Sequence, residues 1–291
     1  MFETQHNRAL LCYNQTIKHL YEEKGKTDMG NHWSPLTDKP VDTSNLTFDE
    51  RMSMFNDNIK SHNNIVFFGG AGVSTASGIP DFRSKDGLYN QHDIQFDKYE
   101  PEYLLSRDCL YYNPKVFYEF YRQKLDCRNI QPNTAHFKLA EMENAGKLDC
   151  VVTQNIDGLH QKAGSKNVFE IHGTANRVYC PKCGKEYPSD YLFTNTDAIP
   201  KCNCRGQIRP DITLYGEQLP RTFADAMEAV EKADMLIVAG TSLAVYPANT
   251  LISHFTGDML VLVNRTKTDF DTHAQLVFHE DITDVFDKIT L

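Results

Sequence analysis

Four polar positions in the middle of the chain have side chains that suit acid–base chemistry or the binding of a small ligand. Gln154, Asn155 and Asp157 follow the strand-like segment 150–153, and His172 stands at the end of another. Open α/β sheets bind ligands where parallel strands end, so we expect these side chains to line one crevice. An imidazole titrates near neutral pH and can act as a general base, although a single histidine or an asparagine-rich turn is more often structural.

A glycine-rich turn follows the buried strand predicted at 65–68. Gly70 and Gly72 let the backbone approach a ligand closely, and Ser74 and Thr75 suit the first turn of a helix. Unpaired N–H groups at a helix start attract an anion such as phosphate. Because the third glycine of the dinucleotide fingerprint G-x-G-x-x-G is missing, an ordinary strand-to-helix turn remains the alternative.

Four of the eight cysteines fall in two tight pairs, Cys180 with Cys183 and Cys202 with Cys204. Four thiolates bind one zinc ion tetrahedrally in a small ribbon, and a site with no open position is structural. We therefore assign zinc to folding, even though the second pair has one intervening residue where two are commoner. Nucleic-acid binding by the ribbon is the alternative. Its basic residues are Lys182, Lys185, Lys201, Arg205 and Arg209.

Overall composition narrows the class of function. The 291 residues include 30 Lys and Arg against 39 Asp and Glu, and the net charge of −9 argues against a general nucleic-acid or anionic-membrane surface. An acidic body tolerates lysine-rich peptide partners. The N-terminus has no basic region followed by an apolar core, and no apolar run is long enough to cross a membrane. We therefore predict a cytoplasmic protein without a membrane partner.

Helices and strands that position these groups are predicted to alternate along the chain. Helices are expected at about 8–23, 47–61, 114–126, 133–145, 222–232 and 281–289. Strands are expected at 65–68, 150–153, 168–173, 235–239, 259–263 and 276–278, with residues 212–215 extended. Asn113 and Thr222 are predicted helix caps, and residues 85–112 suit a mobile cover over a cofactor. The pattern predicts an α/β fold, a doubly wound parallel Rossmann-like sheet with an inserted zinc-ribbon module.

Taken in order, the motifs resemble those of the sirtuins, the NAD-dependent protein deacylases, in their bacterial-type form. The resemblance rests on G-A-G-V-S-T-A-S-G-I-P-D-F-R-S, T-Q-N-I-D-G-L-H, I-H-G, the four cysteines, Y-G-E-Q-L-P, G-T-S-L-A-V-Y-P-A and V-N-R-T. It implies a catalytic domain at 47–291, Rossmann-like at 47–175 and 210–291, with the zinc module at about 176–209. Residues 1–46 form an extension of unknown role.

The resemblance also implies which residues bind NAD. The residues implied at the phosphates and the nearby ribose are Gly70, Ala71, Gly72, Thr75, Phe82 and Arg83. The residues implied in the nicotinamide and ribose pocket are Gln154, Asn155, Ile156, Asp157 and His172. The residues implied at the adenosine half are Gly240, Thr241, Ser242, Asn264 and Ile282.

The reaction implied by the resemblance is deacylation of lysine. The acyl oxygen attacks C1′ of the ribose, nicotinamide leaves, and His172 acts as general base, with Asn155 and Asp157 in the catalytic set. The products would be free lysine, nicotinamide and an O-acyl-ADP-ribose. The acylated protein or peptide would bind as an added strand. The residues implied to contact it are Thr213, Tyr215, Gly216, Glu217, Val245 and Tyr246.

Two other functions remain open from the sequence. One is a protein ADP-ribosyltransferase on the same scaffold, and the other is a non-catalytic NAD-binding or zinc interaction module. Retention of His172 together with Asn155 and Asp157 favours deacylation, because a protein that only binds needs no base.

The preferred acyl group is also predicted from the resemblance. Members that prefer succinyl groups carry Tyr-x-x-Arg on the helix that follows Asn113, where this chain has Tyr121 and Lys124. Lysine lacks the planar fork that binds a carboxylate through two hydrogen bonds. We therefore expect a preference for neutral acyl groups, and the same preference follows if Tyr121 only packs and Lys124 is solvated.

Overall fold

The computed structural model describes residue 43 and residues 45–291, except for residues 83, 85, 86, 91, 92 and 94. The helix predicted at about 8–23 and the predicted nucleotide contact Arg83 lie outside the described residues. No helix in the described ranges is both long enough and apolar enough to cross a membrane.

Strands in the described part of the chain form two sheets. They are β1 (Ile65–Gly69), β2 (Leu148–Thr153), β3 (Val168–Glu170), β4 (Gly173–Tyr179), β5 (Glu186–Tyr187), β6 (Arg209–Ile212), β7 (Met235–Ala239), β8 (Met259–Val263) and β9 (Leu276–Phe278). Six strands pair in parallel in the order β3-β2-β1-β7-β8-β9. The other three form an antiparallel sheet in the order β5-β4-β6.

Helices flank both sheets. The α-helices of the described ranges are α1 (Phe48–Ser61), α2 (Pro101–Leu104), α3 (Arg107–Tyr112), α4 (Pro114–Lys124), α5 (Thr134–Asn144), α6 (Leu159–Ala163), α7 (Tyr191–Thr194), α8 (Thr222–Lys232) and α9 (Ile282–Asp287). Residues 71–73, 75–77, 88–90, 248–254 and 271–273 form 3₁₀ turns. Local sequence explains the start of α1, because Thr47 and Glu50 form a reciprocal capping box.

The parallel sheet is covered on both faces, which explains why its central strands are continuous apolar runs. Ile65 and Phe67 of β1 point into a core shared with α1, α5 and α9. Val66 and Phe68 point the other way, into a core shared with α8 and the 248–254 turn. The α/β class and the doubly wound parallel sheet predicted from the sequence are therefore confirmed.

Residues 95–112 are packed, in contrast to the mobile cover that was predicted over 85–112. They contain α2 and α3, and Phe96, Leu104 and Cys109 are buried in a third core. This core also contains Val178 and Ile208 of the zinc-module region. Phe96 packs edge-to-face on Phe120 of α4, with ring centroids 5.2 Å apart, so a residue distant in the sequence contributes to its burial.

The glycine-rich turn also differs from its prediction, because Ser74 and Thr75 do not begin an α-helix. The chain makes two 3₁₀ turns, Ala71–Val73 and Thr75–Ser77, and leaves them at Gly78 with φ of 92°. A residue in the left-handed region ends the turns before the α-helical hydrogen-bond pattern can repeat.

Two predicted caps and one strand end are also corrected. Asn113 precedes α4 but makes no side-chain cap bond, and its amide donates to the Tyr103 hydroxyl. Thr222 lies inside α8, where its hydroxyl donates to the Glu170 carbonyl at 3.1 Å. The strand predicted at 168–173 ends at Glu170, because the chain turns there to enter the second sheet.

Candidate functional site

The carboxyl ends of β1 and β7 lie side by side where the strand order reverses, which is where open sheets bind ligands. Gly70 N–H donates to the Ala239 carbonyl at 3.1 Å, and Gly72 N–H donates to the Gly240 carbonyl at 2.8 Å. A Cβ atom on Gly70 would lie 2.7 Å from Thr241 Cβ, and one on Gly72 would lie 2.7 Å from Gly240 Cα. Glycine is therefore required for the two turns to meet at this crevice.

A chain of hydrogen bonds joins the glycine-rich turn to the turn after β2. The Ser74 hydroxyl donates to Asp157 Oδ2 at 2.7 Å and accepts from Asn155 Nδ2 at 3.1 Å. Asp157 Oδ1 accepts from Leu159 N–H at 2.9 Å. Ser74 is only 1% exposed, and the sequence had indicated it only as a helix-start residue. The only sign in the sequence that Ser74 links Asn155 and Asp157 was the position of its hydroxyl inside a glycine-rich turn.

Asp157 lies in an environment that opposes its ionisation. Burial raises the pKa of this carboxyl above its usual value, while the hydrogen bonds from Leu159 N–H and Ser74 act in the opposite direction. The side chain is held in a single orientation by donors on both oxygens. A carboxyl held in this way is suited to bind a ligand hydroxyl or amide group in the crevice.

His172 is fixed by the turn that carries the other polar residues. Its Nδ1 lies 3.0 Å from the Gln154 carbonyl oxygen, and a neutral ring that donates through Nδ1 leaves Nε2 as a base. Burial lowers the pKa of His172, and the Gln154 carbonyl raises it. The neutral form of the imidazole is therefore favoured. The His172 carbonyl also accepts from Thr213 N–H at 2.8 Å, which ties this residue to the loop after β6.

A second set of hydrogen bonds links the ends of β2, β7 and β8. Gln154 Nε2 donates to the Thr241 hydroxyl at 3.0 Å, and Thr241 N–H donates to Asn264 Oδ1 at 3.0 Å. Asn264 Nδ2 returns a bond to the Thr241 carbonyl at 2.6 Å. Ser242 is exposed beside them, whereas Ile282 is 7% exposed and packs in the core that contains α9.

Four further predicted nucleotide contacts lie close to these groups in the sequence. Ala71, Thr75, Phe82 and Ile156 are partly exposed. The Thr75 hydroxyl donates to the Gly72 carbonyl at 2.9 Å, which stiffens the turn. Phe82 and Ile156 pack against the third core, so their side chains connect the crevice to the zinc-module region.

The proposed peptide-binding loop is already partly paired within the chain. Tyr215 N–H donates to the Leu105 carbonyl at 3.0 Å, and its carbonyl accepts from Arg107 N–H at 2.9 Å. Glu217 N–H donates to the Leu214 carbonyl at 2.9 Å, so this backbone donor is already paired within the chain. Gly216 is exposed on the same loop. Val245 is partly exposed and Tyr246 is 53% exposed on the second predicted peptide-contact segment.

The four paired cysteines form a candidate metal centre. Their sulfur atoms all lie within 4.8 Å of one another, and their thiolate chemistry fits a tetrahedral zinc ion. Two of the predicted basic residues do not support nucleic-acid binding here. Lys182 donates to the Cys204 carbonyl at 3.0 Å, and Arg209 is 8% exposed and bound to Glu217.

Comparisons with known proteins agree with this geometry. The model of the Sir2 family matches residues 70–247. An NAD-dependent protein deacetylase of Clostridium perfringens is 48% identical over 245 residues, which are 83% of this chain and 99% of that protein.

Solved structures of Sir2 proteins have the same fold. A Sir2 complex with a p53 peptide and NAD+ has a TM-score of 0.72 at 36% identity and covers 81% of this chain and 96% of that one. A Sir2 complex with the inhibitor EX-527, 2′-O-acetyl-ADP-ribose and a deacetylated p53 peptide has a TM-score of 0.71 at 35% identity, with the same coverage. The resemblance seen in the sequence is confirmed, and the chain belongs to the Sir2 family, the sirtuins.

Proposed function

We propose that this protein is an NAD-dependent protein lysine deacetylase that forms free lysine, nicotinamide and an O-acyl-ADP-ribose. One observation carries the proposal: His172 is anchored on the carbonyl of Gln154, and the next residue, Asn155, is linked through Ser74 to Asp157. The 48% identity to a protein named as an NAD-dependent protein deacetylase supports it. The enzyme is in this sense a transferase, because it moves the acyl group from lysine to a nucleotide.

The residues of the crevice suit NAD. NAD, when bound, supplies the ADP-ribose group that accepts the acyl group. The close approach of Gly70 and Gly72 to β7 leaves backbone at the crevice where a side chain would otherwise stand. Asn155 and Asp157 would bind the nicotinamide and ribose end, and His172 Nε2 would take a proton from a ribose hydroxyl.

The remaining NAD contacts are proposed by position. Thr241, Ser242 and Asn264 would hold the adenosine half, since the first and third of these are already fixed to each other by two hydrogen bonds. Gly240, Ala71, Thr75, Phe82, Arg83 and Ile156 remain proposed contacts on the strength of the family motifs, as does Ile282.

Zinc would be held by Cys180, Cys183, Cys202 and Cys204 and would stabilise the small sheet without taking part in the chemistry. The small sheet of β4, β5 and β6 supports the proposed module at about 176–209 between Rossmann-like parts at 47–175 and 210–291. The acylated peptide would bind near Gly216 and Tyr246, and a cytoplasmic location is proposed for the enzyme.

The experiment that tests the function uses NAD labelled in its adenosine half together with an acetyl-lysine peptide. Mass spectrometry should detect nicotinamide, deacetylated peptide and labelled O-acetyl-ADP-ribose in equal amounts. Label bound covalently to protein would identify an ADP-ribosyltransferase instead. NAD binding without consumption would identify a non-catalytic module. Either of these results would overturn the proposal.

We further propose that neutral acyl groups are preferred over succinyl groups. Tyr121 is fully buried and stacks on Phe117 and Phe193, and its hydroxyl has no hydrogen-bond partner among the described residues. Lys124 pairs with Asp93 at 3.4 Å. Both contacts support the interpretation in which neither residue binds the carboxylate of a succinyl group, because each side chain is already engaged within the protein. Comparing kcat/KM for acetyl, butyryl and succinyl forms of one peptide tests this, and a succinyl value above both others would contradict it.

A further inference from the structure

Arg209, at the start of β6, is a buried cation outside the catalytic crevice. Its guanidinium makes two hydrogen bonds to the Glu217 carboxylate, at 2.5 and 2.9 Å. The same group donates to the Ile212 carbonyl at 2.8 Å and to the Pro210 carbonyl at 3.2 Å. One side chain therefore holds the end of β6 and the far side of the following loop at the same time.

Glu217 closes that loop from the other end. Its carboxylate accepts from Leu214 N–H at 3.0 Å, and its own N–H donates to the Leu214 carbonyl at 2.9 Å. Thr213, just before this turn, donates to the His172 carbonyl. Tyr215, inside the turn, pairs with the backbone on both sides of Ser106. The loop is thus fixed to the histidine turn, to the segment before α3 and to Arg209.

The energetics of the buried Arg209–Glu217 ion pair favour a role in positioning over a role in stability. Burial raises the pKa of Glu217, but the hydrogen bonds from Arg209 and Leu214 outweigh it and keep the pKa below the usual value. A buried ion pair often adds little net stability over apolar residues of similar size, whereas its geometry is highly specific. The planar fork of arginine fixes the carboxylate in two directions at once.

We propose that Arg209 and Glu217 are positioning residues for the acylated peptide. Their pair fixes residues 213–217 so that exposed Gly216 presents its backbone to an incoming strand while Thr213 stays attached to His172. This inference rests on the proposed function of the loop as a peptide site. It assigns the pair to peptide binding, and leaves NAD binding to the separate crevice residues.

Three variants test the assignment: Arg209→Lys, Glu217→Gln, and the double variant Arg209→Met with Glu217→Leu. Each should weaken acetyl-peptide binding by about tenfold or more, because each removes charge-assisted bonds that order the loop. The KM for NAD should stay within about twofold of the wild-type value, because hydrogen bonds around β1 and β7 hold that site.

The double variant separates positioning from stability. Replacing both charges with apolar residues should restore the melting temperature toward the wild-type value, yet peptide affinity should remain low. If the double variant does not fold, peptide affinity is measured on Arg209→Lys, which keeps the positive charge at this position. Arg177→Lys is the matched control, since Arg177 pairs with Glu186 and Asp211 on the same small sheet but is exposed.

Peptide affinity is measured by calorimetry as well as from KM, so the readout does not depend on turnover. Normal peptide affinity in the folded double variant, or an equal loss of peptide and NAD affinity, would overturn the inference. If the wild-type protein binds acetyl-peptide but does not deacetylate it, the proposed function fails while the positioning role is still measured.

Discussion

The two sheets of this protein are stabilised in different ways. Every residue of β1, β7 and β8 is buried, and the parallel sheet has an apolar core on each face. The small sheet has three strands, one of them only two residues long. Its apolar residues share a core with α3 and α4, and two cysteines of the candidate zinc centre are part of that core.

The difference shows where function can be altered without loss of the fold. A small unit that buries little apolar surface depends on its metal, because metal binding supplies folding free energy. The parallel sheet stands without such support, so the polar turns at its edge can carry binding and catalytic groups. Losing a zinc ligand should therefore remove fold and activity together, and losing a polar group at the sheet edge should remove activity alone.

The largest effect is expected for Cys183→Ala. Structural zinc contributes roughly 10–16 kcal/mol to the folding of small zinc domains, so losing one of four thiolates should abolish cooperative folding of the small sheet. Zinc content and a thermal melt measure the change. Cys127→Ala is the control, because this cysteine lies outside the four-sulfur group. A folded, zinc-free Cys183→Ala protein with normal activity would show that the two sheets do not differ in this way.

His172→Ala should remove activity and leave the fold. A general base typically contributes ~10²–10⁴-fold to the rate, whereas many other groups hold the cofactor. We expect a loss of this size in kcat with NAD affinity and melting temperature close to wild type. His273→Ala, at an exposed position, should change none of these. Normal turnover of acetyl-lysine by His172→Ala would exclude His172 as the base.

A buried pair of histidines beside the parallel sheet should make the stability of the folded protein sensitive to acid. His136 and His160 lie with ring centroids 4.7 Å apart, and three of their ring nitrogens have no partner in the described part of the chain. Burial lowers the pKa of His136 from 6.5 to about 4 and lowers that of His160 well below its usual value. Both rings are therefore neutral in the folded protein near neutral pH.

The sign of the effect follows from proton binding. Below about pH 6.5 the unfolded chain binds protons that the folded chain does not, so stability is lost as the pH falls toward 4. His136 alone should contribute roughly 3 kcal/mol to this loss. Denaturant titrations between pH 7.5 and pH 4 measure it. The free energy of unfolding should depend less steeply on pH in His136→Gln than in the wild type, and an unchanged pH dependence in this variant would refute the assignment.

The smallest effect is expected for Gly72→Ala, which probes the sheet edge itself. The new methyl group would meet the Gly240 backbone at 2.7 Å, and crowding of this kind costs about 1–3 kcal/mol. We expect a lower melting temperature and NAD binding weakened by about tenfold. Gly78→Ala is the control, because its Cβ meets nothing within 4 Å even though its φ of 92° strains the new residue. Equal NAD affinities in both variants would contradict a role for the close approach.

Tertiary structure decided the features that adjacent residues do not specify. Phe96 and Leu104 are buried in a core that also contains residues of α4 and the small sheet, and their spacing gives no sign of it. Arg209 was read as a basic surface residue and Glu217 as a peptide contact, yet the fold pairs them in a buried site. Ser74 became a link between two turns only when β1 and β2 were paired. In each case the role of the residue depends on a partner in the fold that the residues adjacent to it in the sequence do not indicate.

The sequence by itself determined the features whose cause is local. Continuous apolar runs specified β7 and β8, because a parallel strand covered on both faces admits little else. The starts of α1 and α5 followed from capping residues that satisfy the first backbone donors. The cysteine spacing specified the metal centre, and the ordered motifs specified the family. Local hydrogen bonding and periodicity are encoded in neighbouring residues, whereas burial and charge pairing depend on which surface the completed fold brings against them.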